Sequence, residues 1–254
     1  MASLQVSQLS FRYETTEESS PLLDQVSFHL KEGDRACIIG KNGSGKSTLL
    51  KIIAGLLPSV SETVLLNEQH HPGSALYKGL VAYIPDKPLV YDALTGIEHM
   101  TLIQSLWKMN QSEKEVYKKT FLSLCDAFDL THALKMPVKQ YSLGMRYKLF
   151  FNCMAARSPE DLTHALKMPV KQYSLGMRYK LFFNCMAARS PELIILDEPF
   201  TSLDEASQMQ SISLLKEEFS DQCVLFTSHQ RYLYSELGNR FFELDHGQLN
   251  EIER

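Results

Sequence analysis

Gly40-Lys41-Asn42-Gly43-Ser44-Gly45-Lys46-Ser47 stands between the apolar run Ala36–Ile39 and the stretch Thr48-Leu49-Leu50-Lys51-Ile52-Ile53. The spacing fits G-x-x-x-x-G-K-[ST], a glycine-rich loop between a strand and a helix. The glycines let the backbone wrap closely, so that successive N–H groups point at one anion. A helix starting near Lys46 adds its positive N-terminal end. The pattern therefore predicts a phosphate cradle formed by Gly40, Asn42, Gly43, Ser44, Gly45, Lys46, Ser47 and Thr48. Lys46 reaches the outer phosphates in such a loop, and the Ser47 hydroxyl binds Mg²⁺.

Further along, Leu193-Ile194-Ile195-Leu196-Asp197-Glu198-Pro199 reads as a buried strand with two carboxylates at its end. Apolar residues followed by Asp-Glu are a weak signal alone. With the phosphate loop they complete a nucleotide site, where Asp197 holds Mg²⁺. Glu198 is the candidate general base for water attack.

The rest of the chain excludes several classes of function. Its 254 residues carry 44% hydrophobic and 22% charged residues and a net charge of −4. That is ordinary for a globular protein, and it lacks the basic footprint of a nucleic-acid binder. No apolar run reaches membrane-span length, and the N-terminus lacks the order of a signal peptide. The five cysteines form no CxxC pair and read as reduced, buried thiols. His70 and His71 adjoin Pro72-Gly73 and read as an exposed turn.

Residues 129–160 and 161–192 are identical letter for letter, an offset of 32. Solenoid repeats diverge and usually number three or more. Identity of two adjacent copies is what a recent tandem duplication, an engineered insertion or an error in the sequence record leaves behind.

Hydrophobic periodicity predicts strands at 3–13, 25–30, 35–39, 63–66 and 80–84, and a helix at 46–57 ended by Pro58. Helical spacing takes over from Thr95, and Ser112 with Glu115 is spaced as a capping box. Strands return at 193–196 and 223–227, and a hairpin around His246-Gly247 closes the chain. The expected fold class is α/β: a P-loop NTPase core with an antiparallel β subdomain and an inserted α-helical subdomain. The expected division is a single domain over 1–254, with a nucleotide-binding core at 1–92 and 190–254. A helical part at 93–189 takes up the repeat.

The order of these motifs resembles the ATP-binding cassette (ABC) family over nearly the whole chain. In that resemblance Tyr13 matches the aromatic that stacks on adenine, and His229 in Leu225-Phe226-Thr227-Ser228-His229 matches the switch histidine that contacts the γ-phosphate. Thr201–Asp204 resembles the loop linking two active sites. Tyr-Ser-Leu-Gly-Met resembles the signature motif, which in the family caps the γ-phosphate held by a second subunit. It occurs twice, at Ser142-Leu143-Gly144 and Ser174-Leu175-Gly176, with Leu for the first glycine of the common form and Met for its Gln. Where the family usually has a Mg²⁺-touching Gln, this chain has Asp86, an acid able to bind the ion through water. The stretch Tyr83–Met100 looks most like ATPases of ABC-2-type exporters.

The resemblance implies ATP and Mg²⁺ as cofactors. The implied partners are a second ATPase subunit, as homo- or heterodimer, and a polytopic membrane permease, with no nucleic acid. It places the chain in the cytoplasm, on the inner face of the membrane through the permease. A soluble ABC ATPase, or a binding module made inactive by the repeat, are the alternatives. Ser174 lies 23 residues before Asp197 and Ser142 lies 55 before it. The short spacing selects Ser174 and Gly176 as the working signature. The expectation is that 129–136 pack normally, that 137–168 bulge out, and that the fold resumes at 169.

Overall fold

The computed structural model describes residues 2–14, 21–58, 63–155, 191–199 and 205–253. The chain divides into two units, Met1–Asp86 with Arg189–Arg254, and Lys87–Ala188.

The first unit is built on two sheets. Strands β1 (Ser3–Phe11), β2 (Leu23–Lys31) and β4 (Val64–Leu66) form an antiparallel sheet in the order β2-β1-β4. In β2, inward Leu23, Val26, Phe28 and Leu30 are buried, while Gln25, Ser27 and His29 face solvent. From Gln25 to Lys31 this period-2 alternation is that of a sheet with one wet face. The second sheet contains β3 (Arg35–Ile39), β5 (Val81–Ile84), β6 (Leu193–Leu196), β7 (Cys223–Thr227), β8 (Arg240–Asp245) and β9 (Gln248–Ile252). Its order is β5-β6-β7-β3-β8-β9. All pairs are parallel except β8 with β9. β6 and β7 are buried at every residue, as strands covered on both faces must be. His246 (φ 48°) and Gly247 (φ 80°) turn β8 into β9, both in the left-handed region that a two-residue hairpin turn favours.

Among its described residues this unit has four helices: α1 (Lys46–Ile53), α2 (Ala75–Leu80), and, numbering α3 to α5 in the second unit, α6 (Glu205–Glu218) and α7 (Arg231–Leu237). α1 ends before the expected Pro58. Gly55 takes φ 72° and its N–H donates to Ile52 O, while Leu56 N–H donates to Lys51 O. A glycine in the left-handed conformation stops the helix first. α2 was not expected from periodicity. It is one short turn set by Ser74, whose Oγ accepts from Tyr77 N–H.

The second unit has its own apolar core. α3 (Gly96–Leu106), α4 (Gln111–Ala127) and α5 (Leu143–Ala155) close on Met100, Tyr117, Phe121, Leu124, Leu149 and Cys153. α4 starts earlier than the Ser112–Glu115 spacing predicts. Asn110 Oδ1 accepts from Glu113 N–H at 3.0 Å, and Glu113 Oε2 accepts from Asn110 N–H at 2.8 Å. Asn caps a helix as well as Ser does, and the pair two residues upstream has the same spacing.

The expected bulge from residue 137 is corrected by the structure. Val138, Tyr141, Leu149 and Cys153 of the first repeat copy are buried in this core. Val138 N–H donates to Leu94 O at 2.9 Å and Lys139 N–H to Asp92 O at 3.0 Å. The Tyr117 hydroxyl donates to Cys153 O at 2.8 Å. Spacing along the chain reflects only the link onward to β6. The first copy is tied to α4 directly, through one-turn 3₁₀ segments at Thr131–Ala133 and Val138–Gln140. Most of the second copy, residues 161–190, lies outside the described residues.

Candidate functional site

The glycine-rich loop leaves the C-terminal end of β3 and enters α1. In a parallel sheet, ligands bind outside these strand ends, where neighbouring connections diverge. β7 lies beside β3, and β6 lies beside β7, so residues following β6 and β7 come to the same edge as the loop. A cleft of about 400 Å³ opens there. Asn42, Gly43, Gly45, Lys46, Ser47, Thr48, Asp86, Asp197, Glu198 and His229 all line it.

α1 begins at Gly45 (φ 105°) with no side-chain cap. Its first N–H groups have no partner in the helix, which leaves a ready anion seat. The Ser44 Oγ is buried without a hydrogen-bond partner. An unsatisfied buried hydroxyl beside free N–H groups fits a phosphate oxygen. Gly40 closes the loop tightly. A Cβ there would lie 2.5 Å from Leu244 O and 2.9 Å from Ser44 Oγ, at φ 154°.

Lys46 is only 7% exposed. Its Nζ donates to Gly40 O at 2.8 Å and Lys41 O at 3.0 Å. Burial lowers its pKa, against the opposing pull of Glu198 and Asp197. A desolvated cation held by two carbonyls at a cleft gains most from an arriving anion.

Asp197 is buried. Its Oδ1 accepts from Ser47 Oγ at 3.1 Å and from Thr227 Oγ1 at 2.9 Å. Hydroxyl and carboxylate oxygens side by side are the hard donors that Mg²⁺ takes in combination with phosphate and water. Among the described residues no cluster of three or more His, Cys, Asp or Glu cages a metal, so the donor set suits an ion shared with a bound phosphate.

Glu198 stands at the end of β6 with φ 48°, a strained conformation for a residue with a side chain. Its N–H donates to Thr227 Oγ1 at 2.9 Å, which holds the turn. Its Oε1 is 3.3 Å from His229 Nε2. Burial raises the Glu198 pKa, with His229 and then Lys46 opposing and Asp197 adding to the rise. A carboxylate tuned upward is a better proton acceptor near neutral pH.

Tyr13 is outside the cleft lining but tied to it. Its hydroxyl lies 3.1 Å from Thr48 Oγ1, and its ring is edge-on to Phe11 with centroids 4.9 Å apart. Ser174, Gly176 and Thr201–Asp204 lie outside the described residues. The same signature letters in the first copy open α5, where Ser142 Oγ accepts from Met145 N–H at 3.3 Å.

Two contributors were missed in the sequence. Thr227, fully buried, joins Asp197 to the Glu198 backbone; its position just before Ser228-His229 was the available signal. Tyr83 places a buried hydroxyl near Asp197 and Asp86. Burial first, and those two carboxylates next, push its pKa up. Inside a strand it reads simply as a core aromatic.

The sequence profile of the ABC transporter family matches residues 23–162, more than half of the chain. The chain belongs to the ABC transporter family. It is an ATP-binding, ATP-hydrolysing subunit of that family, with the phosphate loop on β3. Among its relatives is the O-antigen export system ATP-binding protein RfbE of Yersinia enterocolitica, 27% identical over 90% of this chain and 77% of that protein. A putative ABC transporter ATP-binding protein of Mycoplasma genitalium is 31% identical over 62% of this chain and 56% of its own length. The lantibiotic transport ATP-binding protein SrtF of Streptococcus pyogenes is 26% identical over 82% of this chain and 73% of its own. The chain thus spans from just over half to about three-quarters of the length of these relatives. In fold it is similar to an ATP-binding subunit of an ABC transporter, with TM-score 0.61 and 23% identity over 98% of this chain and 90% of that one. It is also similar to a bacterial Atm1-family ABC exporter solved with ATP bound, with TM-score 0.59 and 15% identity over 98% of this chain and 38% of that one.

Proposed function

We propose that this family member is the motor of an ABC-2-type exporter, hydrolysing ATP in the cleft between the glycine-rich loop and the ends of β6 and β7. The gathering of Lys46, Ser47, Asp197, Glu198 and His229 around one cleft carries the reading. The α1 N–H groups, the Lys46 ammonium and the Ser44 hydroxyl bind the phosphates. Ser47 and Asp197 hold Mg²⁺, and Asp86 reaches it through water. Mg²⁺ when bound neutralises charge on the phosphate oxygens. Glu198 takes the proton of the attacking water, and His229, 3.3 Å from Glu198 and lining the same cleft, contacts the outer phosphate. Tyr13, anchored on Thr48, offers a ring for the adenine.

Export is supported by the relatives named for O-antigen export and lantibiotic transport. No described helix is long and apolar enough to cross a membrane; the pairing of such ATP-binding subunits with membrane components in the family supports a polytopic permease partner. A second ATPase subunit supplies a signature serine to each cleft. The chain's own signature serine is Ser142 or its copy Ser174, on the inner face of the membrane. Co-expression followed by purification on a tag tests this: a polytopic membrane protein retained with the wild-type chain supports the transporter reading, and a soluble complex without one contradicts it.

A further inference from the structure

The groove that α5 occupies is built almost wholly from residues preceding both repeat copies. The first copy is held there by Asp92, Leu94, Ile97, Tyr117 and Cys125. Val138 N–H donates to Leu94 O, Lys139 N–H to Asp92 O, and Arg146 pairs with the Asp92 carboxylate. Ile97 N–H donates to Leu134 O at 3.2 Å. The Tyr117 hydroxyl donates to Cys153 O, and Asn152 Nδ2 lies 3.3 Å from Cys125 Sγ. Tyr141 O–H closes the segment on itself, donating to Ala133 O at 2.7 Å. Each side chain that the first copy brings to this groove recurs, in the same order, 32 residues later.

We propose that this groove is a docking site for either copy, and that residues 161–187 of the same chain are its second occupant. With the first copy docked, residues 156–192 form the connection to β6. With the second docked, residues 129–160 become an extended connection from α4, and a short link leads on to β6. The contacts inside the groove are the same in both arrangements. Only the place of the undocked stretch differs, and the cost of closing a chain segment grows with the logarithm of its length. Residues 156–192 and residues 129–160 are of similar length, which favours arrangements close in free energy. Linkage in one chain favours its own spare copy over another molecule's. The chain so carries a built-in replacement for its signature helix: Ser142 caps it in one arrangement and Ser174 in the other.

The test marks each copy separately in the full-length chain. Leu149 is fully buried in the groove, and Leu181 is its counterpart. Leu149→Asp, Leu181→Asp and the double variant are compared by thermal unfolding followed through Trp107. This single tryptophan packs against the same core, edge-on to Tyr117 with centroids 6.1 Å apart. Each single variant is expected to keep the parent's Trp107 emission and a midpoint within about 2 °C, independent of protein concentration. The double variant is expected to lose the native emission. Loss in Leu149→Asp alone, equal to that of the double, overturns the proposal, as does a double variant indistinguishable from the parent. Rescue of Leu149→Asp that grows with concentration assigns the groove to a copy from another molecule and overturns the intramolecular assignment.

Discussion

Glu198 combines a strained backbone, a partly buried carboxyl and a neighbouring imidazole at 3.3 Å. Because burial raises its pKa, the ionised form is the costly one in the folded chain. As pH climbs through the ordinary carboxyl value of about 4.3 and then the folded one, the unfolded chain releases its proton first. The folded state then binds more protons, and stability falls with rising pH. Glu198→Gln is therefore expected to raise the unfolding midpoint of the nucleotide-free protein at pH 7. The gain should shrink toward pH 4, where the parent carboxyl is mostly protonated in both states. Calorimetry across pH 4–8 checks this; a lower midpoint at pH 7 contradicts it. Lys46→Ala removes the cation from the loop, and ATP binding measured by titration calorimetry is expected to weaken by at least tenfold, about 1.4 kcal/mol. At this scale the sequence was highly informative: the loop, Asp197 and Glu198 were named from pattern and His229 from the family resemblance, and the structure brings them to one cleft. Thr227 was not, because a buried hydroxyl bridging two strand ends leaves no periodic mark.

Elements were legible where hydrophobic periodicity was long, and less so at their ends. β3, β6 and β7 match their expected spans because continuous apolar runs between turn residues leave little choice. The ends of α1 and the start of α4 were displaced by local chemistry: a left-handed Gly55 in one and an Asn110 cap in the other. Asn110→Ala is expected to cost about 1 kcal/mol, read by urea unfolding through Trp107. Gly96 opens α3 against the first repeat copy. A Cβ there would lie 2.8 Å from Leu134 Cδ2 and 3.0 Å from the Tyr141 hydroxyl. Gly96→Ala is thus expected to destabilise the helical unit by about 1–3 kcal/mol through overpacking. Hydrogen exchange should show faster amide exchange in residues 96–155, with β3 and β7 protected as in the parent. Equal loss of protection in both units would contradict the assignment.

At the scale of the whole molecule, the division into two units follows from where the apolar residues cluster. One core gathers around the strands, another around α3 to α5. Repetition was visible as soon as the letters were compared, yet its structural outcome was misread. Spacing to β6 favoured the second copy, whereas packing places the first against α4. Sequence distance measures only how far a chain must travel. Which copy docks depends on contacts with residues 92–128, and those are available equally to both.

We propose that ATP hydrolysis in this cleft depends on Glu198. Steady-state phosphate release by the purified chain, with Mg²⁺ and ATP, beside Glu198→Gln tests it most directly. We predict turnover in the parent and a loss of about 10²–10⁴-fold in the variant, with ATP binding retained. Equal turnover in the two proteins would contradict the claim.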